Sequence, residues 1–403
     1  MKKSMIVAAM LAMVATGANA KSATDSATIA KNKPVFTVVK QNSITSIKDQ
    51  NRSGTCWAYS TLSYFESEIL KHTGKTYDLS EMFVANKTYM DRATMAVRMH
   101  GDVSFSQGGS AYDVLYALQH YGIVPEGAMP APGTLTGDSL ANFGEFFDVM
   151  TPYVEAVAKS NAKKISSAWK SGLQGIIDSY IGKTPEKFTY QGKQYTPQSF
   201  CQSLGLNLDD YVTITSYTHH PMWSKFAVEV QDNWRWPLSY NVPMDDLCKI
   251  IDNAINNGYT IAWGGDVTED GFTRKGLGIA YDVKKVRSMA GTDADHWFKL
   301  SKDEKKEKFD SLGVNAPEVV PTQAMRQEAF DNWETTDDHG MHIYGIAKDQ
   351  NGKEYYMVKN SWGEYGDYKG TWYMTKAFVA YKTMDFMVNK NAIPKDIRKK
   401  LGI

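Results

Sequence analysis

The chain has 403 residues, of which 42% are hydrophobic, 12% aromatic and 22% charged, and these fractions are typical of globular proteins. Its 45 Lys and Arg residues balance its 45 Asp and Glu residues, so no excess of positive charge indicates a nucleic-acid surface. The length is enough for one two-lobed unit with insertions, and no internal repeat, low-complexity tract or transmembrane run follows the N-terminus.

Residues 1–20 are typical of a cleavable secretory signal peptide. Lys2 and Lys3 precede an apolar stretch over 5–14, and Ala18-Asn19-Ala20 forms a small-residue cleavage site. The apolar stretch is too short to span a bilayer, and no cysteine follows the cleavage site to carry a lipid. We therefore expect export, with a periplasm as the destination, no membrane association after cleavage, and a mature net charge of −2 from 43 basic and 45 acidic residues.

Residues 21–125 are predicted to form an N-terminal arm followed by a helical lobe. The apolar residues between Trp57 and Leu70 recur at the spacing of an amphipathic helix. Cys56 stands immediately before that helix, behind the turn residues Gly54-Thr55. A thiol at a helix N-terminus faces unpaired N–H groups and the positive end of the helix dipole, which favour the thiolate. The alternative for a single cysteine is a buried, unreactive side chain.

Residues 126–244 are predicted to be a helical insertion, because their apolar spacing is helical and proline residues punctuate it. His219-His220-Pro221 lies in this segment. Adjacent histidines could ligate a metal, but the sequence offers no third ligand at helical spacing. We therefore expect a loop at these histidines and no metal site.

Residues 245–403 are predicted to form a β lobe that finishes in a C-terminal tail. A helix over 245–257 leads into a strand over 259–264, and a second insertion is expected near 285–330. Asn351-Gly352 separates two strand-like runs and predicts a β-hairpin.

Two segments at this hairpin contain the groups that a cysteine nucleophile needs. His339 follows Asp338, and Asn360 comes directly after the second strand of the hairpin. An imidazole can take the proton of a thiol, and an amide can fix the orientation of the imidazole. His342 competes with His339, but residues three apart on a strand point to opposite faces, so His342 is expected to be a wall residue.

Three segments, Gln50 to Trp57, Asp338 to Met341 and Asn360 to Gly363, resemble in this order the papain superfamily of cysteine peptidases. The resemblance implies an α+β, papain-like two-lobe fold, with a helical lobe and a β-barrel-like lobe. It also implies peptide hydrolysis through a thioester, without a metal or other cofactor. The catalytic roles it implies are nucleophile for Cys56, general base and acid for His339, orienting amide for Asn360 and oxyanion donor for Gln50. The substrate-binding residues it implies are Gly108, Gly109, Trp57, Asp338 and Trp362, the last of which would also shield the hydrogen bond between histidine and asparagine.

The resemblance also predicts the ionisation of the reactive pair. A histidine-paired thiolate can have a pKa of about 3 to 4, against about 8.5 for an unpaired one. We therefore expect Cys56 and His339 to form a thiolate–imidazolium pair at neutral pH.

Further segments resemble one branch of that superfamily, the bleomycin hydrolase and aminopeptidase C group. His339 follows Cys56 by 283 positions (339 minus 56), whereas papain-like enzymes commonly have about 130 to 150 residues in this interval. The excess must be inserted structure. Segments with the pattern of the branch are Leu79–Phe83, Gln107–Ser110, Tyr190–Pro197 and Trp263–Val267.

The branch implies an aminopeptidase that acts on peptides, and a homo-oligomer with a hexamer as one form. In this family a C-terminal arm lies in the cleft and confines cleavage to the N-terminal residue of the substrate. Residues 393–403 look short for such an arm, which leaves endopeptidase or mixed activity as an alternative. The sequence is also compatible with a non-catalytic peptide-binding oligomer and with acyl transfer to amines.

Cys201 and Cys248 are the remaining cysteines of the chain. Export would permit a disulfide between them. Disulfide-rich secreted relatives of papain, however, carry a cysteine where this sequence has Ser53. We therefore expect both thiols to be free and buried.

Overall fold

The computed structural model describes residues 33–132, 140–285 and 312–403, together with Ser301, Glu304 and Phe309. The predicted signal peptide and much of the second insertion lie outside the described residues. Within the described ranges, no helix combines the length and apolar character that crossing a bilayer requires.

Helices dominate the N-terminal half of the described chain. The first, α1, spans Cys56–Thr73, and its side chains Leu62 and Phe65 are fully buried. It ends at Gly74, whose φ of 71° lies in the left-handed region and whose N–H donates to the Leu70 carbonyl. The helix predicted after Cys56 is therefore confirmed. Further helices in chain order are α2 (Glu81–Arg98), α3 (Ala111–His120), α4 (Gly144–Ala158), α5 (Ala168–Tyr180), α6 (Pro197–Ser203), α7 (Met244–Asn256), α8 (Gln323–Asp331), α9 (Lys376–Lys382) and α10 (Lys395–Leu401).

Strands dominate the C-terminal half. In chain order they are β1 (Thr37–Gln41), β2 (Phe188–Tyr190), β3 (Lys193–Tyr195), β4 (Tyr211–Thr215), β5 (Lys225–Phe226), β6 (Ser239–Asn241), β7 (Ile261–Gly265), β8 (Phe272–Thr273), β9 (Leu277–Gly278), β10 (His339–Lys348), β11 (Glu354–Lys359), β12 (Thr371–Thr375) and β13 (Thr383–Asn389). β2 and β3 pair with each other, and the others join one sheet in the order β5-β6-β4-β13-β7-β10-β11-β12-β9-β8, with β1 beside β10. β10 thus pairs with three strands, and it carries His339 at its start.

The predicted hairpin is confirmed, because β10 and β11 pair antiparallel across the turn at Asn351-Gly352. The sheet nevertheless begins earlier in the chain than the β lobe predicted from residue 245. It already includes β4 and β6, and β4 pairs with the late strand β13, where Thr215 lies opposite Asp385. The helical insertion predicted for 126–244 contains α4, α5 and α6 but ends in these strands. The reason is that the β-branched run in β4 finds its partner far along the chain.

Two hydrophobic cores lie on either side of the junction between helices and sheet. The first surrounds α1 to α6, and the second lies between the sheet and α7, α9 and α10. α1 packs against β10, and the first residue of the helix and the first residue of the strand line one cavity. The C-terminal residue Ile403 packs against the second core.

Candidate active site

Cys56 is the first residue of α1, and no side chain caps this end of the helix. Burial raises the pKa of the thiol to about 11, although hydrogen bonds from the backbone N–H groups of Gly340 and Trp57 act in the opposite direction. Free N–H groups of a first helical turn are the donors that stabilise a thiolate. The helix start supplies one stabilising group, the Trp57 N–H, and β10 supplies the other, the Gly340 N–H, but burial has the larger effect on the pKa.

His339 lies at the start of β10 and is only 6% exposed. Its Nε2 atom is 2.8 Å from the Oδ1 atom of Asn360. The indole ring of Trp362 lies against the imidazole, with the two ring centroids 4.9 Å apart. Burial lowers the pKa of His339 to about 4, while the hydrogen bond to Asn360 raises it.

These two pKa shifts run against the sequence-based expectation of a thiolate–imidazolium pair at neutral pH, which stays a prediction. Burial penalises either charge taken alone, which favours a neutral Cys56 thiol and a neutral His339 imidazole. Proton transfer from sulfur to nitrogen creates both charges together, and their attraction in a poorly solvated cleft offsets part of the desolvation cost.

Asn360 follows β11 and is 1% exposed. Its Oδ1 atom accepts hydrogen bonds from His339 and from the Ser361 backbone N–H, the latter at 2.8 Å. An oxygen in this position requires the imidazole to donate from Nε2, which leaves the Nδ1 lone pair free. Asn360 and Trp362 therefore lie behind the imidazole, as their predicted roles require.

Gln50 is 6% exposed and both ends of its amide are engaged. Its Nε2 atom donates to the Ser53 carbonyl at 2.7 Å, and its Oε1 atom accepts from the Ser361 hydroxyl at 2.6 Å. One amide hydrogen is therefore used inside the protein, and the second is the hydrogen that could reach an oxyanion. Gln50 is not among the residues that line the cavity containing Cys56 and His339, so its oxyanion role remains a prediction.

A cavity of about 250 Å³ joins six of the nine predicted site residues. The six in its lining are Cys56, Trp57, Gly108, Gly109, Asp338 and His339. His342 is not in this lining. It is fully buried, and its Nδ1 atom is 2.9 Å from the Ser63 hydroxyl, which agrees with its exclusion as the base.

Gly108 and Gly109 form one wall of the cavity, at a point where backbone and side chains approach closely. A Cβ atom on Gly108 would lie 1.8 Å from the Asp232 Oδ2 atom, and one on Gly109 would lie 2.9 Å from the Trp57 ring. The Gly108 carbonyl accepts a hydrogen bond of 2.6 Å from Arg92. Within the described part of the chain, no hydrogen bond engages the Gly109 backbone, so it is available to an extended peptide.

Gly340 makes a second close approach, between β10 and α1. A Cβ atom there would lie 2.6 Å from the Ser60 hydroxyl and 3.3 Å from the Cys56 carbonyl. The strand that carries His339 can therefore lie directly against the helix that carries Cys56.

Sequence reasoning missed three aspartates and one arginine of the site. Asp232, Asp337 and Asp385 line the same cavity as Cys56. Arg92 is fully buried and contacts Asp232 Oδ1 at 3.1 Å, so it holds this wall in place. Asp337 could have been noticed beside Asp338, but Asp232 and Asp385 have no local motif.

The aspartates crowd negative charge into a small volume. Burial raises the pKa of Asp337 well above its ordinary value, and the charges of Asp232, Asp385 and Asp338 add to the shift. Burial also raises the pKa of Asp385 to about 6. The pKa of Asp338 rises to about 6, first through burial and then through its hydrogen bond and charge interaction with Asp266. A cation in this cavity would relieve the repulsion among the carboxylates.

Cys201 and Cys248 are both free, as expected, but Cys248 is only partly buried, which corrects the expectation that both thiols are buried. Cys201 is buried in the first core, and Cys248 packs against the second. Burial raises the pKa of each thiol to about 11. Neither thiol lines the cavity that contains Cys56.

A cysteine at the start of a helix, a histidine at the start of a strand and an asparagine behind it, on an α+β frame, are the arrangement of papain-like cysteine peptidases. A model of the Peptidase C1-like family matches residues 2–402. The chain belongs to this family, and it is a cysteine-type peptidase.

The relatives agree with the branch predicted from the sequence. Aminopeptidase G of Lactobacillus delbrueckii subsp. lactis is 23% identical over 393 residues, which cover 88% of this chain and 83% of that protein. Bleomycin hydrolase of Rattus norvegicus is 21% identical over 417 residues, which cover 92% of this chain and 86% of that protein. The crystal structure of PepW from Lactobacillus rhamnosis HN001 matches with a TM-score of 0.66 at 18% identity, over 94% of this chain and 86% of that one. The α+β, papain-like fold is therefore confirmed.

Proposed function

We propose that this protein is an exported aminopeptidase that releases N-terminal residues through a thioester on Cys56. The observation that carries the proposal is the hydrogen bond between His339 Nε2 and Asn360 Oδ1, with Cys56 in the cavity that His339 also lines. This arrangement supports a base with a free Nδ1 lone pair beside a nucleophilic sulfur.

In the proposed mechanism, His339 Nδ1 takes the proton of the Cys56 thiol while the sulfur attacks the peptide carbonyl. The Cys56 backbone N–H and the Gln50 amide donate hydrogen bonds to the oxyanion. The carbon–nitrogen bond then breaks, and the imidazolium returns its proton to the leaving amine. A water molecule, deprotonated by His339, attacks the thioester and releases the acid and the thiol.

The choice of an aminopeptidase rests on the charge of the cavity and on the relatives. Proteins named Aminopeptidase G, C and E match this chain along most of its length. Asp232, Asp337, Asp338 and Asp385 line the cavity beside Cys56. A free α-ammonium group is the cation that every unblocked peptide would bring to these carboxylates, and charge-assisted hydrogen bonds are the stronger kind.

A second candidate, endopeptidase or mixed activity, is favoured by the position of the C-terminal tail. Helix α10 and Ile403 pack against the second core, and no residue beyond Asp385 is found among those that line the cavity in the described chain. This position supports the alternative in which residues 393–403 do not act as the arm that confines cleavage in the branch. If the protein is an aminopeptidase, the aspartates would then have to select the free N-terminus of the substrate without the help of such an arm.

Fluorogenic peptide amides with a free amine and with an N-acetylated amine separate the candidates. We expect kcat/KM to be higher by about tenfold or more for the free amine, because hydrogen bonds to charged groups contribute about 1.5 to 3 kcal/mol. Equal turnover of the two would favour the endopeptidase. Cys56→Ala should abolish both activities. If the natural chain binds peptides but neither hydrolyses them nor is labelled by an epoxide inhibitor, a non-catalytic peptide-binding oligomer would be favoured instead.

Export and oligomerisation are parts of the same proposal. Residues 1–20 support export through their charged start, apolar stretch and small-residue cleavage site. Cell fractionation, with N-terminal sequencing of the product, tests this, and a cytoplasmic protein that retains residues 1–20 would contradict it. Light scattering after size exclusion tests the homo-oligomer that the branch implies.

A further inference from the structure

The two adjacent histidines of the sequence meet a carboxylate in the folded chain. His219 Nε2 is 3.0 Å from one oxygen of Glu229, and His220 Nε2 is 2.8 Å from the second. These side chains each offer one ligand atom, and the three atoms lie within 4.8 Å of one another. No local pattern groups them, because Glu229 lies beyond β5 and outside any helical spacing from the histidines.

Neighbouring side chains hold both imidazole rings in place. The His220 ring stacks on Phe226 with centroids 4.2 Å apart, and the His219 ring stacks on Phe330 of α8 with centroids 5.6 Å apart. The amide of Gln327, also on α8, lies against His219 Nδ1, with its nitrogen at 3.0 Å and its oxygen at 3.3 Å. If the amide oxygen accepts from Nδ1–H, the His219 Nε2 lone pair is free for a metal, as in many metal sites.

We propose that His219, His220 and Glu229 bind a divalent transition-metal ion of the zinc type. Two imidazole nitrogens and one carboxylate are a ligand set that zinc accepts, with a water molecule as the fourth ligand. Zinc–ligand distances of about 2.0 to 2.2 Å place tetrahedral ligands about 3.3 Å apart. The nitrogen–oxygen distances of 3.0 and 2.8 Å are close to that separation, so small rotations of partly exposed side chains would complete the site.

The site would join the turn 218–221 to one wall of the active-site cavity. Glu229 lies between Val228 and Val230, and both valines line the cavity that contains Cys56. A metal bound to Glu229 would therefore restrict the movement of this wall. The proposed role is to order the wall, and the metal takes no part in the peptidase chemistry.

Isothermal titration with Zn²⁺ tests the site in the tag-free chain carrying Cys56→Ala, which removes the nucleophilic thiol as a competing ligand. We expect one equivalent to bind, and affinity to fall at least tenfold on adding either Glu229→Gln or His220→Gln. His72→Gln, which replaces an exposed histidine of α1, is the matched control and should leave the affinity unchanged. No binding, or equal affinity in all of these variants, would overturn the proposal.

Two further measurements distinguish this site from loose surface binding. Co²⁺ should give the intense visible absorption of a tetrahedral site, and Glu229→Gln should abolish it. Amide hydrogen exchange over residues 218–233 should slow when Zn²⁺ is added, and Glu229→Gln should remove the effect. Weak octahedral absorption with unchanged exchange would show an adventitious ion only and would contradict the proposal.

Discussion

The Oδ1 atom of Asn360 lies 2.8 Å from the Nε2 atom of His339, and this contact determines which imidazole nitrogen carries the proton. The same oxygen accepts the Ser361 N–H at 2.8 Å, so the amide is held with its oxygen toward the ring. Nε2 must then donate, and Nδ1 keeps the lone pair that a base needs. Asn360 would thus act on the reaction through the tautomer of His339.

Asn360→Ala is expected to lower kcat by about 10²- to 10⁴-fold, the contribution of a correctly placed general base. KM should change little, because Asn360 does not line the cavity. Steady-state kinetics on a free-amine peptide measure both constants. Asn257→Ala, at an exposed position at the end of α7, is the control. A variant at Asn360 with the natural kcat would contradict the tautomer argument.

The rate at which iodoacetamide alkylates Cys56 should keep rising with pH through the neutral and alkaline range. Burial raises the pKa of Cys56 to about 11 and lowers that of His339 to about 4, and only the thiolate reacts. Peptide mapping by mass spectrometry follows the reaction, with Cys56→Ala as the blank. A rate that is already level above pH of about 5 would instead favour the ion pair typical of histidine-paired thiolates.

Asp338→Asn and Asp385→Asn are each expected to raise KM for free-amine peptides at neutral pH by about tenfold, the effect of losing about 1.4 kcal/mol of charge pairing. Each change keeps the size of the side chain and removes its negative charge. The same variants should leave KM for N-acetylated peptides unchanged. Asp209→Asn, at an exposed position outside the cavity, is the control. Equal effects on KM for both kinds of peptide would contradict the proposal that these carboxylates bind the ammonium group.

KM for free-amine peptides should rise as the pH falls below about 6. Asp338 and Asp385 have raised pKa values of about 6, so below that pH each gains a proton and loses the charge that attracts an ammonium group. Above it both are ionised and binding is strongest. Measurements of KM from about pH 5 to about pH 8 check this. Steps of about one unit cover the range where such groups titrate. An identical profile for the acetylated peptide would contradict it.

Gly108→Ala is expected to destabilise the protein by about 1 to 3 kcal/mol, the usual cost of inserting a group into a well-packed site. The new Cβ would meet Asp232 Oδ2 at 1.8 Å and would disturb the ion pair with Arg92. Urea unfolding measures the loss. Gly127→Ala, where no atom lies within 4 Å of the new Cβ, is the control. Equal stability of the two variants would contradict the packing argument.

The parts of the site that the sequence predicts are those marked by local pattern. The spacing behind Cys56 predicts its helix, and Asn351-Gly352 predicts the hairpin that leads to Asn360. His339 is separated from His342 by the alternation of a strand. Each of these features is determined within about a dozen neighbouring residues, the range over which periodicity operates.

The parts that the sequence does not predict depend on contacts between distant segments. Asp232 and Asp385 reach the cavity from different strands and loops, and Glu229 reaches His219 only through the fold. The raised pKa of the Cys56 thiol is also not predicted from the sequence, because the motif indicates the stabilising N–H groups and gives no measure of the burial that opposes them.

Gly340 has a consequence for how this enzyme tolerates change. Cys56 and His339 belong to separate packing units, a helix with its own core and a strand held by three others. Because Gly340 has no Cβ atom, its backbone can lie directly against the first turn of α1, next to Cys56. Substitutions in either core that leave the fold intact but shift the helix against the strand would therefore inactivate the enzyme. Peptide turnover would then be lost before any loss of structure could be measured.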